Sequence, residues 1–270
     1  DSLVIHYDDT LSETPGYDVI TTTSRQDLYV DALRSELEEI DQQNVAEPRR
    51  ILNVLAAIEG GSVTELQRAR SKEIKELIGM AGTLVLSQKL LEKFLDDYVW
   101  VAINLANEVQ HDRSRRSARP RVFRFDENEE ACDDLLFVGV PRSGNSDEFE
   151  VKLWVAEAKG GTASASSGVG QVNNTVKELG EAFDPSEPYA DTGLLRTVLG
   201  RLVTESTSRL GSYSLLDNEA VKAVSEHEDT LLNGDFTVTL LTDATGARGV
   251  SVSVGKTELK PEIGMKDGVR

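Results

Sequence analysis

The hydrophobic positions of this chain follow two different periods, and the change from one to the other divides the sequence into elements. Alternation at every second residue, or a short apolar run, predicts strands at residues 3–7, 17–23, 121–125, 132–140, 148–159, 236–243 and 249–255. Apolar residues at helical spacing predict helices at about 25–41, 49–58, 64–79, 83–109, 171–183, 194–208 and 218–232. Residues 260–270 show neither pattern and are expected to form a tail.

This mixture of strands and helices predicts an α/β fold. We expect a mixed four- or five-stranded sheet flanked by helices on both faces, joined by right-handed crossovers. The β-β-α pattern of residues 1–46 is too short to stand alone, and it predicts an N-terminal extension on a main domain at 47–270. The core of that domain is expected at about 85–245, interrupted by a helical insertion at about 184–234.

Two acidic residues and a lysine stand out on neighbouring apolar strands. Asp134 opens one strand, and Glu157 and Lys159 lie two residues apart near the end of the next. Side chains alternate along a strand, so Glu157 and Lys159 point to the same face, and a hairpin would bring Asp134 towards them. Carboxylate oxygens hold hard cations such as Mg²⁺ or Mn²⁺, and a lysine can stabilise charge on a phosphate. The pattern therefore indicates metal-assisted phosphodiester hydrolysis.

The order Asp134, a hairpin, Glu157-Ala158-Lys159 and then a helix resembles the PD-(D/E)xK nuclease superfamily, which includes restriction enzymes and phage-defence nucleases. The resemblance covers about residues 85–245 and implies a restriction-endonuclease-like core of helix, three strands, helix and strand. The proline of the family's name is absent, because Cys132-Asp133 precedes Asp134. Asp133 is the alternative ligand if the strand register is shifted by one.

The resemblance also implies roles for individual residues. Asp134 and Glu157 would bind the metal, and Lys159 would position the attacking water. Gln171, expected near the start of the following helix, would orient DNA or the lysine. The family often draws a further acid from the helix before the first core strand, and Glu108 is the candidate by position, although a solvated acid near a helix end is the plainer interpretation.

The charge of the chain is strongly negative, with 29 Lys and Arg residues against 47 Asp and Glu residues and a net charge of −18. Such acidity ordinarily argues against nucleic acid as a partner, but sparse lysine and abundant acid are also typical of a salt-loving source. One segment departs from this balance, since six arginines and a single acid fall between His111 and Arg124. They predict contact with a DNA backbone through Arg113, Arg115, Arg116, Arg119, Arg121 and Arg124, or pairing with the protein's own carboxylates.

Several classes of protein are disfavoured by the composition. The single cysteine, Cys132, permits no intrachain disulfide, and the three histidines show no zinc-ligand spacing. No run is long enough to span a membrane and no signal peptide is evident, so a cytoplasmic protein is expected. The chain begins at Asp1, which is typical of a segment of a longer protein or of a trimmed start.

Three functions remain in competition. The first is a magnesium-dependent DNA endonuclease domain of a restriction or phage-defence system, acting with other subunits or domains of a defence complex. Residues 3–7 and 16–21 resemble the approach to the C-terminal region in helicase-like subunits of phosphorothioate-dependent restriction systems. The second is a non-catalytic DNA- or partner-binding module with a nuclease-like fold. The third is an assembly domain on which Glu157 and Lys159 form an exposed ion pair.

Overall fold

The structure is a computed structural model that describes residues 3–8, 18–39, 48–58, 63, 66, 69–105, 134–143, 149–160, 165–184, 186, 192–241, 247–254 and 259–265. These residues form seven helices and eight strands. The helices are α1 (Gln26–Glu39), α2 (Pro48–Ile58), α3 (Ser71–Phe94), α4 (Ala165–Ala182), α5 (Thr192–Ser212), α6 (Asn218–Ser225) and α7 (Glu228–Asn233). The strands are β1 (Leu3–Asp8), β2 (Asp18–Thr23), β3 (Tyr98–Asn104), β4 (Leu135–Pro141), β5 (Glu150–Gly160), β6 (Thr237–Leu240), β7 (Ala247–Val254) and β8 (Leu259–Met265).

A mixed sheet forms the centre of the fold, as the sequence predicts for an α/β protein. Its strand order is β3-β4-β5-β7-β8, and β6 also pairs with β5. Strands β3, β4 and β5 form an antiparallel meander, β6 and β7 both run parallel to β5, and β8 is antiparallel to β7. Because β6 pairs with the first half of β5 and β7 with the second half, the six strands occupy five positions.

The middle of the sheet is apolar on both of its faces. Strand β4 reads Leu-Leu-Phe-Val-Gly-Val-Pro, and its first six residues are all buried. Such a continuous apolar run is typical of a strand covered by helices on both sides. Gly139 makes room for a large neighbour, since a Cβ at this position would lie 2.8 Å from Cη2 of Trp100 on β3. The Trp100 ring thus packs directly on the main chain of β4.

The prediction of a helix at 83–109 is wrong for its second half. Helix α3 starts at Ser71 and ends at Phe94, so it joins the end of one expected helix to the start of the next. The residues that follow form strand β3, and the indole N–H of Trp100 donates to the carbonyl oxygen of Leu95 across the turn. The first core strand expected at 121–125 lies outside the described residues. Among the described strands, β3 takes that place in the meander.

Three further boundaries differ from the sequence prediction. Residues 259–265 form strand β8 where a tail was expected, and β7 is consequently an inner strand among the described strands. Helix α4 starts at Ala165, six residues before the expected start at residue 171. The helix expected at 218–232 is divided into α6 and α7. No described helix has a stretch long and apolar enough to cross a bilayer.

The N-terminal β-β-α pattern folds as expected and packs on the helices of the main domain. Strands β1 and β2 form an antiparallel pair, and α1 contacts α2 and α3. Glu36 of α1 is 8% exposed, accepts a hydrogen bond of 2.7 Å from the Ser71 hydroxyl, and lies 3.3 Å from Nζ of Lys75. These two contacts attach α1 to the first turn of α3.

Candidate active site at the ends of adjacent strands

The register of β4 and β5 places the two candidate carboxylates next to each other. Leu135 pairs with Ala156 at the end of the described ladder. Continuing this register by one residue sets Asp134 opposite Glu157, and directly opposite residues of an antiparallel pair project from the same face of the sheet. The hairpin pairing predicted from the sequence therefore brings together the aspartate and the glutamate that the metal-site hypothesis requires.

Asp134 is held by the strands on both sides of it. Its carbonyl oxygen accepts a hydrogen bond of 2.9 Å from the amide of Leu105, the residue after β3. Its carboxylate oxygen Oδ2 accepts a hydrogen bond of 2.5 Å from the amide of Ala158 in β5. An ionised carboxylate offers about four acceptor positions, so this bond leaves capacity for a cation. The side chain is half-buried, which keeps it within reach of solvent and of solutes.

Glu157 lies in the interior of the sheet layer. Its exposed fraction is only 2%, and its main chain pairs with Ser251 of β7, one residue beyond the end of the β4–β5 ladder at Ala156. Carboxylates are rarely buried to this degree unless they are paired or coordinate a metal. The exposed Glu157–Lys159 ion pair of the third hypothesis is therefore wrong with respect to Glu157.

Helix α4 covers the face of the sheet that carries Glu157. A Cβ on Gly180 would lie 3.3 Å from Cδ1 of Leu240, and Leu240 pairs in register with Leu153 of β5. Leu153 and Glu157 are four residues apart on one strand, so they share this face. Nine helical residues separate Gln171 from Gly180, a rise of about 13 Å, and four strand residues also span about 13 Å. Gln171 thus lies near the level of Glu157 along the strand.

The position of Gln171 within its helix differs from the prediction. It is the seventh residue of α4, about two turns from the first residue, and it is half-buried at the margin of the sheet-facing stripe. That stripe contains Val172, Val176 and Leu179 together with one fully buried polar residue, Thr175. The sequence reasoning overlooked Thr175, although a lone hydroxyl between apolar residues at helical spacing was a usable signal.

Lys159 belongs to β5 by its main chain, which pairs with Ser253 of β7. Its side chain lies outside the described part of the structure. The other sequence-predicted site residues are also outside the described residues: Glu108, Asp133, Arg113, Arg115, Arg116, Arg119, Arg121 and Arg124. All eight belong to the segment 106–133 between β3 and β4. The hydrogen bond between Leu105 and Asp134 joins the described residues that flank this segment, beside the candidate site.

The donor set suits a hard divalent cation. Within the described ranges, no group of three or more His, Cys, Asp or Glu side chains is placed to hold a metal ion. Magnesium does not require such a group, because proteins commonly bind it through one or two carboxylates while it keeps several waters. Asp134 and Glu157 provide two carboxylates on adjacent strands, which is a sufficient set of protein ligands for Mg²⁺ or Mn²⁺.

Comparison with known proteins identifies no protein that is similar to this chain. No protein-family model matches the chain, and no curated protein or solved structure is significantly similar to it. The assignment of a function therefore rests on the arrangement of the chain's own residues.

Proposed function

We propose that this chain is a metal-dependent DNA endonuclease domain that hydrolyses phosphodiester bonds in a restriction or phage-defence system. One observation carries the proposal: Glu157, a carboxylate with 2% exposure, lies opposite Asp134 at the ends of two adjacent strands. A buried carboxylate is costly for folding, and such costs are typically retained at functional sites.

The order of elements also supports the proposal. Helix α3 precedes the antiparallel strands β3, β4 and β5, α4 follows them, and β6 and β7 are parallel to β5. This is the order of helix, three strands, helix and strand that the PD-(D/E)xK resemblance implies. Helices α5 to α7 then form the expected insertion between α4 and β6.

Each residue of the site has a proposed task. Asp134 and Glu157 hold Mg²⁺ or Mn²⁺ through their carboxylate oxygens, and a bound divalent cation supplies polarisation of the phosphate and activation of a water. Lys159 stabilises the charge that develops on the phosphate oxygens. Gln171, near the level of Glu157 on α4, orients the DNA strand or the lysine. The buried position of Glu157 limits the access of bulk water to its carboxylate and strengthens the electrostatic effect of that group.

DNA binding is assigned to the arginines of segment 106–133, chiefly Arg113, Arg115, Arg116, Arg119 and Arg121. Guanidinium groups bind phosphates with two hydrogen bonds, which makes arginine suited to backbone contacts. The residues that flank this segment, Leu105 and Asp134, form a hydrogen bond at the site. Because the rest of the chain is strongly acidic, we expect other subunits or domains of a defence complex to contribute further affinity for DNA.

A cleavage assay with paired variants tests the proposal. Supercoiled plasmid is incubated with the full chain and Mg²⁺ or Mn²⁺, from low to molar salt. We expect Glu157→Gln and Lys159→Ala each to reduce the cleavage rate by at least about a hundredfold, as is usual for the loss of a group that stabilises the transition state. Glu157→Gln keeps the size of the side chain, so its effect reports the charge.

Matched controls lie on the same strand. Glu150→Gln and Lys152→Ala alter an acid and a lysine seven residues before Glu157 and Lys159, and both positions are half-buried in β5. They should leave the rate within about threefold of the wild-type rate, because seven strand residues, about 23 Å, separate each control position from its counterpart at the site. Equal cleavage by the wild type and by both site variants would refute the site assignment.

A non-catalytic DNA- or partner-binding module is the second candidate. It is favoured by the hydrogen bond from the amide of Ala158 to the Asp134 carboxylate, which gives that side chain a structural role that needs no metal. The two candidates differ in metal binding, which calorimetric titration of Mn²⁺ into the wild type and Glu157→Gln measures. Metal binding by the wild type alone supports the nuclease, whereas DNA binding with no metal binding by either form supports the module.

A further inference from the structure

Asp134 connects three strand ends at one point. Its carbonyl oxygen accepts from the amide of Leu105, which follows β3, and its carboxylate accepts from the amide of Ala158 in β5. Asp134 itself immediately precedes β4. One residue therefore contacts the ends of both neighbouring strands, through its main chain on one side and through its side chain on the other.

The bond to Ala158 extends the sheet beyond its regular ladder. The described pairing of β4 with β5 ends at Leu135 and Ala156. Two residues further along β5, the acceptor for the Ala158 amide is the carboxylate of Asp134. A charged acceptor makes a stronger hydrogen bond than a carbonyl oxygen. The carboxylate thus continues the attachment of β5 to β4 up to the residue between Glu157 and Lys159.

We infer that Asp134 is a positioning residue as well as a cation ligand, and that it fixes the main chain of β5 at the site before any cation binds. Ala158 lies between Glu157 and Lys159, so holding its amide fixes the peptide plane that follows Glu157. The geometry of the site is then pre-organised and does not depend on the metal. The cation-ligand half of this statement rests on the proposed function, whereas the positioning half rests on the hydrogen bond alone.

Two substitutions separate the roles. Asp134→Asn keeps a side-chain oxygen that can accept from Ala158, but it removes the charge that a cation requires. Asp134→Ala removes both. Asp97 is a matched control, because it directly precedes β3 as Asp134 precedes β4, its carbonyl oxygen accepts from a neighbouring strand residue, Arg142, and its side chain is exposed.

Amide hydrogen exchange measured by NMR tests the positioning role in the metal-free full chain. We expect the Ala158 amide to exchange at least about tenfold faster in Asp134→Ala than in the wild type, and within about threefold of the wild-type rate in Asp134→Asn. Asp97→Ala should not change it. The amide of Phe137, in the buried middle of β4, is the internal reference, since general destabilisation would accelerate exchange at both amides. Unchanged exchange at Ala158 in Asp134→Ala would overturn the inference.

Mn²⁺ binding measured on the same proteins distinguishes the positioning role of Asp134 from its role as a cation ligand. We expect both Asp134 variants to bind Mn²⁺ at least about tenfold more weakly than the wild type and the Asp97 variant. If the exchange results hold and the wild type binds no Mn²⁺, the positioning role stands and the proposed metal-dependent function fails. If Mn²⁺ binds as expected but Ala158 exchange is the same in all forms, the proposed function stands and the positioning role fails.

Discussion

At the scale of single residues, Glu157 makes the strongest functional argument in this molecule. Moving an ionised carboxylate from water into a protein interior costs several kcal/mol even after relaxation, roughly as much as a whole domain gains on folding. Glu157 is 2% exposed, and the residues that precede it on the same face of β5, Val151, Leu153 and Val155, are aliphatic and buried. A core position of this kind is ordinarily filled by valine or leucine, and the proposed function gives a reason for a carboxylate there.

Period-2 alternation was enough to predict which residues share a face with Glu157, because side chains alternate on any strand. It could not predict that the Asp134 carboxylate accepts from Ala158, because that bond depends on where the β4 ladder ends. Thr175 was missed for a related reason. Its burial depends on the sheet beneath α4, and helical spacing shows which residues form a stripe but not what the stripe covers.

Tyr213 makes the stability of the protein depend on pH in the alkaline range. Its hydroxyl donates to the carbonyl oxygen of Val4 in β1, and burial raises the pKa of Tyr213 above its ordinary value of 10.0. The folded state therefore retains this proton more strongly than the unfolded chain does. The contribution of this raised pKa to the free energy of unfolding is complete below about pH 10, and it is lost as the pH rises through the folded-state pKa.

We predict that Tyr213→Phe destabilises the protein by about 1 kcal/mol at pH 7, because it removes the hydrogen bond to Val4. Above pH 10 the variant should lose less stability per pH unit than the wild type, because its ring cannot ionise. Urea denaturation at pH 7 and between pH 9.5 and pH 11 measures both effects. The other tyrosines are present in both proteins, so their ionisation contributes equally to the two curves. Parallel losses of stability in the two proteins would contradict the assignment.

At the scale of elements, β3 shows how a buried strand can be taken for a helix. The helical pattern from Thr83 to Leu95 leads into an almost continuously apolar run from Tyr98 to Ala106, and a strand buried on both faces has no alternation to reveal it. Two signals pointed to the strand: the exposed Asp96-Asp97 pair, which interrupts the apolar run, and the β-branched and aromatic residues that follow it. Helices α1 and α2 were predicted to within two residues; α1 has one buried and one exposed side, whereas the second half of α2 is buried all round.

Strand β8 was taken for a tail for the opposite reason. Its sequence, Leu-Lys-Pro-Glu-Ile-Gly-Met, contains a proline, a glycine and two charges, so its own preference for a strand is weak. These residues nevertheless form a strand because they pair with β7. Pro261 is tolerated because β8 is the last strand in the sheet order, and the open edge of a strand needs no amide donor.

The packing of α5 on α7 depends on a close approach at Gly200. A Cβ at this position would lie 1.9 Å from the carbonyl oxygen of Leu231 and 2.5 Å from its carbonyl carbon. Both are main-chain atoms of a residue with no exposed surface, so they cannot move aside as a flexible side chain would. The two helices must separate to admit even one methyl group.

We predict that Gly200→Ala destabilises the protein by about 3 kcal/mol or more, which is the upper part of the range for overpacked interiors. Gly170→Ala is the matched control, because Gly170 is an exposed residue of α4 with no atom within 4 Å of its Cβ position. This control should stabilise the protein by roughly 0.5–1 kcal/mol through helix propensity. Urea denaturation measures both, and a Gly200→Ala variant as stable as the wild type would show that α5 and α7 are not packed at this distance.

At the scale of the whole molecule, the charge distribution has two opposing effects on DNA binding. The net charge of −18 repels a DNA backbone, and the arginines between His111 and Arg124 form the local exception that the proposed function requires. Screening by salt weakens both the general repulsion and the local attraction. A nuclease of this composition is therefore expected to act where salt is high enough to screen its own acids, with additional DNA contacts from a partner domain.

The same net charge leads to a prediction about folding. Mutual repulsion among 47 acidic side chains against 29 basic ones opposes the compact state, and raising the ionic strength from 0.1 M to 1 M shortens the screening length from about 10 Å to about 3 Å. We predict that the midpoint of thermal unfolding at pH 7 rises by several degrees between 0.1 M and 2 M KCl, since about 1 kcal/mol shifts a domain of this size by roughly 2–4 °C. The gain should shrink near pH 4.6, the isoelectric point of the sequence, where the net charge approaches zero. An equal gain at both pH values would show that the salt acts through general exclusion from the protein surface and not by screening the acids.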